Sequence, residues 1–371
     1  MLESSFIPHK LRFSARGFLA FITKILISVG TSNNFPWSME YQIDYRRYRQ
    51  PFRFSLRAHW GVWTERVGYW IKIEDAQGNI GFGEVAPIDG FSQETLKSVE
   101  QELKGFKGFL NLTQALNSVS ACLAFALDGA HQQLLNWPNF PILQTDLKVA
   151  GLLPAGKKAL EVLPSLLDRG YTAFKWKVGV EPLSDELDCC QQLLSKIDGK
   201  AKLRLDANGA WTRAQAETWL KNLPSHSIDY LEQPLPVGEE GVMAELAEAY
   251  PLTIALDESV LSDHDLATAL RLFPQGPFVI KPALLGSVSA IQLWRKQHPQ
   301  VSLIYSSAFE TVLGVEASLR LAASDPNAQQ ALGYGVSHYW NKSFLNCHTA
   351  GPSIRILSWS SSDFEKLWQQ L

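Results

Sequence analysis

Five short apolar runs in this chain stop at charged side chains. Ala173-Phe-Lys-Trp-Lys177 ends in lysines, Leu203-Arg-Leu-Asp206 in an aspartate and Asp229-Tyr-Leu-Glu232 in a glutamate. Ile254-Ala-Leu-Asp257 ends in a second aspartate and Phe278-Val-Ile-Lys281 in a further lysine. Three carboxylates gathered from neighbouring runs repel one another unless a cation lies between them. Oxygen-only ligation suits Mg²⁺, which keeps positions open for water or substrate. Asp206, Glu232 and Asp257 are therefore the candidate metal ligands. Glu258 is the other carboxylate at its run, but alternation along a strand favours Asp257 for the inward phase. Lys175 and Lys177 are two apart, so on a strand they face the same way, and Lys281 is expected several strands away across the same opening. Like charge nearby and partial burial both lower a lysine pKa, which frees an amine to act as a base. A substrate carboxylate held by the cation becomes more acidic at its α-carbon. Loss of that proton leaves an enediolate that the cation and the ammonium groups stabilise.

The elements that must position these groups follow from periodicity. From residue 41 to about 84 the sequence reads as strands, with Gln77-Gly78-Asn79 as a hairpin turn. A loop at residues 85–93 precedes two helical stretches, 94–109 and 118–136, the second with a broad apolar face (Val119, Leu123, Ala126, Leu127, Ala130, Leu134). Past Lys148, apolar runs recur near Val149, Ala173, Leu203, Tyr230, Ile254, Val279, Leu303 and Leu332. The interval is roughly 25 residues, the length of one β/α unit, and eight such runs suffice to close a barrel. In such a barrel functional groups collect at the carboxyl ends of the strands, where the five charged run ends fall. The expected fold is an α/β, (β/α)8-type barrel carrying an α+β capping domain. The expected division is residues 1–38 as a leader, 39–145 as cap, 146–337 as barrel and 338–371 as a tail returning to the cap.

Composition excludes several classes of function. Of 371 residues, Lys+Arg number 34 and Asp+Glu 37, for a net charge of -3, which argues against a protein that coats phosphate backbones. Charged residues make up 19% and there are 12 Trp, which argues against disorder over most of the length. The four cysteines (Cys122, Cys189, Cys190, Cys347) form no CxxC pair, so a disulfide framework and a zinc site are not expected. That pattern fits a reducing compartment, and a cytoplasmic location is expected. In the first 38 residues the apolar stretch 17–30 is broken by Lys24 and is too short to span a bilayer. It reads as a disordered extension or as sequence ahead of a natural start at Met39, with a poor signal peptide as the alternative. The expected partner is a small-molecule carboxylate, with neither nucleic acid nor membrane insertion.

The run ends Phe174-Lys-Trp-Lys177, Leu205-Asp-Ala-Asn208, Leu231-Glu-Gln-Pro234, Leu256-Asp-Glu-Ser259 and Ile280-Lys-Pro282 resemble the enolase superfamily, in its muconate lactonising subgroup. Gly83-Glu-Val-Ala-Pro-Ile-Asp-Gly-Phe-Ser-Gln-Glu-Thr95, Leu203-Arg-Leu-Asp-Ala-Asn-Gly-Ala-Trp211, Val279-Ile-Lys-Pro-Ala-Leu-Leu-Gly-Ser287 and Ser306-Ser-Ala-Phe-Glu-Thr-Val-Leu-Gly314 look like the o-succinylbenzoate synthase family, of the proteobacterial and cyanobacterial type. The likeness runs from about residue 41 to 335 and implies that the barrel is the modified, (β/α)7β type with an α+β capping domain. It implies dehydration of 2-succinyl-6-hydroxy-2,4-cyclohexadiene-1-carboxylate on the menaquinone or phylloquinone pathway. It further implies Mg²⁺ on Asp206, Glu232 and Asp257, Lys177 as the base that also protonates the leaving hydroxyl, and Lys281 stabilising the enediolate from the other face. Lys175 would support the carboxylates and tune Lys177. Loop 88–93 would close the mouth, and Phe91, Asn208, Ser306 and Ser307 are the expected substrate contacts. N-acylamino acid racemases and dipeptide epimerases share the six charged positions and are the alternative; there Lys177 and Lys281 would exchange protons on opposite faces. A Schiff-base aldolase barrel and a non-catalytic binding barrel are more distant readings.

Overall fold

A computed structural model describes residues 40–58, 61–341, 351–356 and 359–371. The expected leader, Met39 and Cys347 lie outside the described residues. The chain opens with a long hairpin, β1 (Glu40–Ala58) and β2 (Gly61–Glu74), followed by β3 (Ile80–Val85). The turn between β2 and β3 is closed by Asp75, whose Oδ1 accepts from the amides of Gln77 and Asn79. With β4 (Phe109–Asn111) these strands form one antiparallel sheet in the order β3-β2-β1-β4. Helix α1 (Leu96–Gly105) begins at a capping box between Thr95 and Ser98. A short helix α2 (Leu112–Leu116) leads into α3 (Ala121–Leu134), which lies on β3. The approach is so close that a Cβ on Gly81 or Gly83 would stand 1.9 Å from the carbonyl oxygen of Ala130 or Ala126. Both helices are shorter than the periodicity suggests: α1 starts only after its cap at Thr95 and stops ahead of β4, and α3 starts only after its N-cap position at Ser120 and ends at Leu134.

The second layer is the ring. After the two-residue strand β5 (Leu147–Lys148), the strands β6 (Gly151–Leu153), β7 (Ala173–Lys177), β8 (Lys202–Asp206), β9 (Ile228–Glu232) and β10 (Ile254–Ala255) form a parallel sheet in sequence order. Strands β11 (Phe278–Ile280) and β12 (Leu303–Tyr305) pair in parallel beside it. Parallel bridges Leu256–Phe278, Ser306–Gly333 and Val149–Leu332 join the two sheets and close the circle. All eight apolar runs read from the sequence fall on this ring. Between them run α4 (Ala159–Asp168), α5 (Leu183–Ile197), α6 (Arg213–Asn222), α7 (Glu240–Ala249), α8 (Asp263–Leu272), the pair α9 (Pro282–Leu285) and α10 (Val288–Gln297), and α11 (Val312–Ser324). Seven β/α units and a last short strand make this a (β/α)7β barrel with an α+β cap, the enolase-like architecture. Outward-facing Phe174, Trp176, Leu203, Leu205, Leu231 and Ile254 bury themselves under the helices.

The tail comes back to the sheet. Strand β13 (Ser353–Ile354) pairs with β5, and α12 (Ser361–Trp368) packs Phe364, Leu367 and Trp368 against Tyr48, Trp70 and Phe82 of the cap and Val312 and Leu313 of α11. Glu84 on β3 ties cap to barrel directly: its carboxylate accepts from Tyr48 Oη, from the Thr311 amide and hydroxyl, and from the Gly314 amide at the start of α11. We propose the division 39–145, 146–337 and 338–371, on the ground that the sheet, the ring and the returning helix each occupy one of these stretches. Among the described residues no helix is long and apolar enough to cross a membrane.

Candidate active site

Alternation decides which side chains enter the ring. Lys177, Asp206 and Glu232 are in register as the last residues of β7, β8 and β9. One layer deeper, Lys175 is in register with Arg204 and Arg204 with Tyr230. These residues, with Asp257, Glu258, Val279, Lys281, Ile304 and Ser306, line one cavity of about 340 Å³ at the carboxyl ends of the strands. Strand β11 is the fourth around from β7 in a ring of eight positions, so Lys281 faces Lys177 and Lys175 across the opening. The side chains predicted from the run ends therefore converge.

The charges are tightly coupled. Lys175 Nζ bridges Asp206 Oδ2 and Glu232 Oε1, both at 2.7 Å. Lys281 Nζ is paired with Asp257 Oδ1 and lies 4.6 Å from the centre of the Phe91 ring. Lys177 lines the cavity without an ion pair among the described residues. The lysine pKa is not lowered at Lys175. Burial pulls it down, but the carboxylates of Asp206, Glu232 and Asp257 outweigh burial and push it well above the ordinary value. Proximity to anions wins over proximity to the other amine. Glu232, fully buried, is held well above the usual carboxylate range by burial and by Asp206, against the pull of Lys175. Glu258 is pushed up to about 7 by burial, with Asp257 and Asp206 adding to it.

Two buried oxygens in this cluster, Glu232 Oε2 and Glu258 Oε2, have no hydrogen-bond partner among the described residues. No three His, Cys, Asp or Glu side chains among the described residues stand ready at ligand spacing, because ammonium groups occupy the space between the carboxylates. The donor set is nonetheless all oxygen, anionic and buried, with one Glu232 oxygen unpartnered among the described residues, which fits a hard divalent cation.

The remaining predicted contacts also reach the cavity. Asn208, Ser306, Ser307 and Phe91 all line it, as does Ile88 from the same loop. Asn208 Nδ2 donates to Glu258 Oε1 at 3.1 Å, and its amide donates to Asp206 Oδ1 at 3.0 Å. Ser307 Oγ is committed to Glu310 Oε2 at 2.7 Å, and Ser306 Oγ reaches the Gly333 carbonyl at 3.3 Å. The sequence reading passed over Arg204 and Tyr230, although each sits two residues before a candidate ligand and alternation alone would have turned it inward. Arg204 is nearly fully buried, donates to Asp229 Oδ2 at 2.7 Å and to the Ala331 carbonyl at 2.6 Å, and covers the Tyr230 ring. Gln233 was also passed over: its Oε1 accepts from the amides of Asp257 and Ser259, which sets the backbone that carries Asp257. Asn208, Gln233 and Phe309, each just past a strand end, have φ of 45°, 37° and 59°. Such left-handed non-glycine residues gather at functional sites. Leu56, Trp63, Phe309 and Tyr339 complete the wall from the hairpin, the loop after β12 and the tail; no periodic signal marks them.

Comparison with known proteins agrees with this geometry. The chain matches a family described as "Enolase C-terminal domain-like" over residues 159–349 and one described as "MenC, N-terminal domain" over residues 42–134. It is 33% identical over 333 residues to the o-succinylbenzoate synthase of Thermosynechococcus vestitus, covering 88% of this chain and 98% of that protein. It is 26% identical to the o-succinylbenzoate synthase of Desulfotalea psychrophila, over 79% of this chain and 93% of that protein. Among solved structures, the o-succinylbenzoate synthase of Thermosynechococcus elongatus, crystallised with magnesium in its active site, superposes with a TM-score of 0.76 at 32% identity, over 89% of this chain and all (100%) of that one. The dipeptide epimerase of Enterococcus faecalis superposes at 0.75 with 19% identity, over 86% of this chain and 97% of that one, which speaks to the fold alone. With its enolase-like barrel, its cap and a near full-length relative at 33% identity, the chain belongs to the o-succinylbenzoate synthase family of the enolase superfamily.

Proposed function

We propose that this chain removes water from 2-succinyl-6-hydroxy-2,4-cyclohexadiene-1-carboxylate to give o-succinylbenzoate, on the route to menaquinone or phylloquinone. The observation that carries this reading is the single cavity that holds two amines on one side, a third on the opposite side and three carboxylates between them. Asp206, Glu232 and Asp257 would hold Mg²⁺, which when bound supplies the positive charge that polarises the substrate carboxylate. Lys177 Nζ, unpaired by any carboxylate among the described residues, takes the proton from the α-carbon. The same nitrogen, now an ammonium, hands that proton to the departing hydroxyl. One C–H and one C–O bond break, water leaves, and the ring becomes aromatic. Lys281, already engaged as a cation by Asp257 and the Phe91 ring, faces the enediolate from the other side. Lys175 keeps Asp206 and Glu232 together, and Asn208 holds Glu258 beside them. Ile88 and Phe91 exclude water from the mouth.

The unequal surroundings of Lys177 and Lys281 support one base and one electrostatic partner over the two bases a racemase or epimerase requires. We assign the protein to the cytoplasm on the ground that Cys122, Cys189 and Cys190 are free and buried. The test is an absorbance assay with freshly prepared cyclohexadiene substrate, with and without Mg²⁺. Loss of the diene band that needs Mg²⁺ is the expected result. No turnover, together with solvent deuterium entering the α-carbon of an N-acylamino acid, would replace this reading with racemisation.

A further inference from the structure

Arg66 lies on β2, is 1% exposed, and does not line the cavity. Its guanidinium is nonetheless spent on the cavity's walls. Nη1 donates to the Pro87 carbonyl at 2.5 Å and Nη2 to the Ala86 carbonyl, both in the stretch that leads into Ile88 and Phe91. Nε donates to the Phe309 carbonyl at 3.1 Å, in the loop that carries Ser306 and Ser307. The guanidinium carbon also lies 5.5 Å from the centre of the Trp63 ring. Ile88, Phe91, Ser306, Ser307, Phe309 and Trp63 all line the cavity. One buried side chain thus bonds two lips and stacks on a third, and the lips come from the cap on one side and the barrel on the other.

The chemistry suits this task. A guanidinium presents a rigid planar fork, so three carbonyls bound to it are fixed relative to one another, which a single lysine ammonium does less well. The three carbonyls are neutral, and among the described residues Arg66 forms no ion pair. A cation kept in the interior to bind only main-chain oxygens is costly to bury, and it needs a return. Its backbone partners belong to segments 86–91 and 306–309, which have no strand pairing with each other. Among the described residues, the nearest other hydrogen bonds between these stretches run from Thr311 and Gly314, past the barrel lip, to Glu84, ahead of the cap lip, and they leave 86–91 and 306–309 themselves to Arg66.

We propose that Arg66 is a positioning residue: it sets the distance between the cap lip at 86–91 and the barrel lip at 306–309, and through it the fit of the substrate. The inference rests on the dehydration reading above for its kinetic arm only. The experiment uses the full chain with Arg66→Met, Arg66→Lys, and Arg46→Met as a control. Arg46 also binds a carbonyl, that of Trp368, and covers the Trp368 ring, but it touches neither lip. Hydrogen–deuterium exchange without substrate is read first. Arg66→Met should speed exchange at both 86–93 and 306–311, Arg66→Lys less so, and Arg46→Met at neither. On the cyclohexadiene substrate with Mg²⁺, Arg66→Met should raise KM about tenfold with kcat changed by no more than about threefold, and Arg66→Lys should recover part of it. Unchanged exchange at either lip, or equal effects of Arg66→Met and Arg46→Met, would overturn the proposal. Wild-type protein inactive on this substrate would overturn the dehydration reading and leave the exchange result to decide on Arg66.

Discussion

Lys175 and Lys177 stand two residues apart on one strand and face the same cavity, yet their surroundings differ. Lys175 is saturated by Asp206 and Glu232, while Lys177 has no carboxylate in ion-pair range among the described residues. Replacing Lys177 with Met should therefore lower kcat by about 10²- to 10⁴-fold, the usual range for loss of a general base, with little change in melting temperature. Lys281→Arg keeps the cation and should spare most of the dehydration, while abolishing any proton exchange on that face. Rate assays with the cyclohexadiene substrate, beside deuterium wash-in, check both. Glu232 poses a different question, since it is fully buried with one oxygen unpartnered. Glu232→Gln should remove the rise in melting temperature that saturating Mg²⁺ gives the wild type, a linkage effect of about 2–3 kcal/mol at a hundredfold excess over Kd. Thermal denaturation with and without the ion measures this, and an equal rise in both proteins would take Glu232 out of the ligand set.

At the scale of elements, the ring depends on alternation and the cap on close approach. At the rim the inward positions of β7, β8 and β9 carry Lys177, Asp206 and Glu232, and their outward neighbours Trp176, Leu205 and Leu231 are buried in the apolar core. The cap is set by two glycines on β3 that admit the backbone of α3. Gly83→Ala would drive a methyl into the Ala126 carbonyl, and α3 must shift to relieve it. The expected cost is about 1–3 kcal/mol, the range for overpacking a core, read as a lower denaturation midpoint in urea. An unchanged midpoint would mean that α3 gives way freely. This contact was not legible beforehand: Gly83 stood in a family motif, but nothing local says which helix its missing side chain makes room for. The motif that follows it was legible as a loop, and the structure divides its labour. Asp89 accepts from the Leu96 amide, Ser92 bonds back to Ile88, and Glu94 accepts from the amides of Ala121 and Cys122 at the start of α3. These bonds shape the loop so that Phe91 is left to face Lys281.

On the scale of the whole molecule, cap, barrel and tail meet over a small aromatic core. Trp368 is 1% exposed, packs near Phe82 and Phe364 in one cluster, and is covered by Arg46. Trp368→Ala should cost about 3–5 kcal/mol, as truncation of a buried aromatic side chain does. Its distance from the cavity predicts that kcat/KM, measured well below the melting temperature, changes by no more than about threefold. A large kinetic loss with modest destabilisation would show that the tail sets the site as well as the fold. Glu84 is where such an effect would pass, since it joins β1 and β3 to the first turn of α11.

The barrel's order and the charged rim were determined by the sequence alone, because a period of two along each strand and one β/α unit per repeat are local properties. So were the six charged side chains: five stand at the ends of apolar runs, where a strand must stop, and Lys175 lies two residues before Lys177 in the same phase. Tertiary structure alone decided the pairing of the lysines, since the anions that hold Lys175 come from two neighbouring strands. It also decided the walls: Trp63, Phe309 and Tyr339 reach the cavity from three separate stretches of chain, and Arg66 joins the lips without touching the cavity. Contacts between residues hundreds of positions apart leave no period to read, and only the closed ring with its cap brings them to one place.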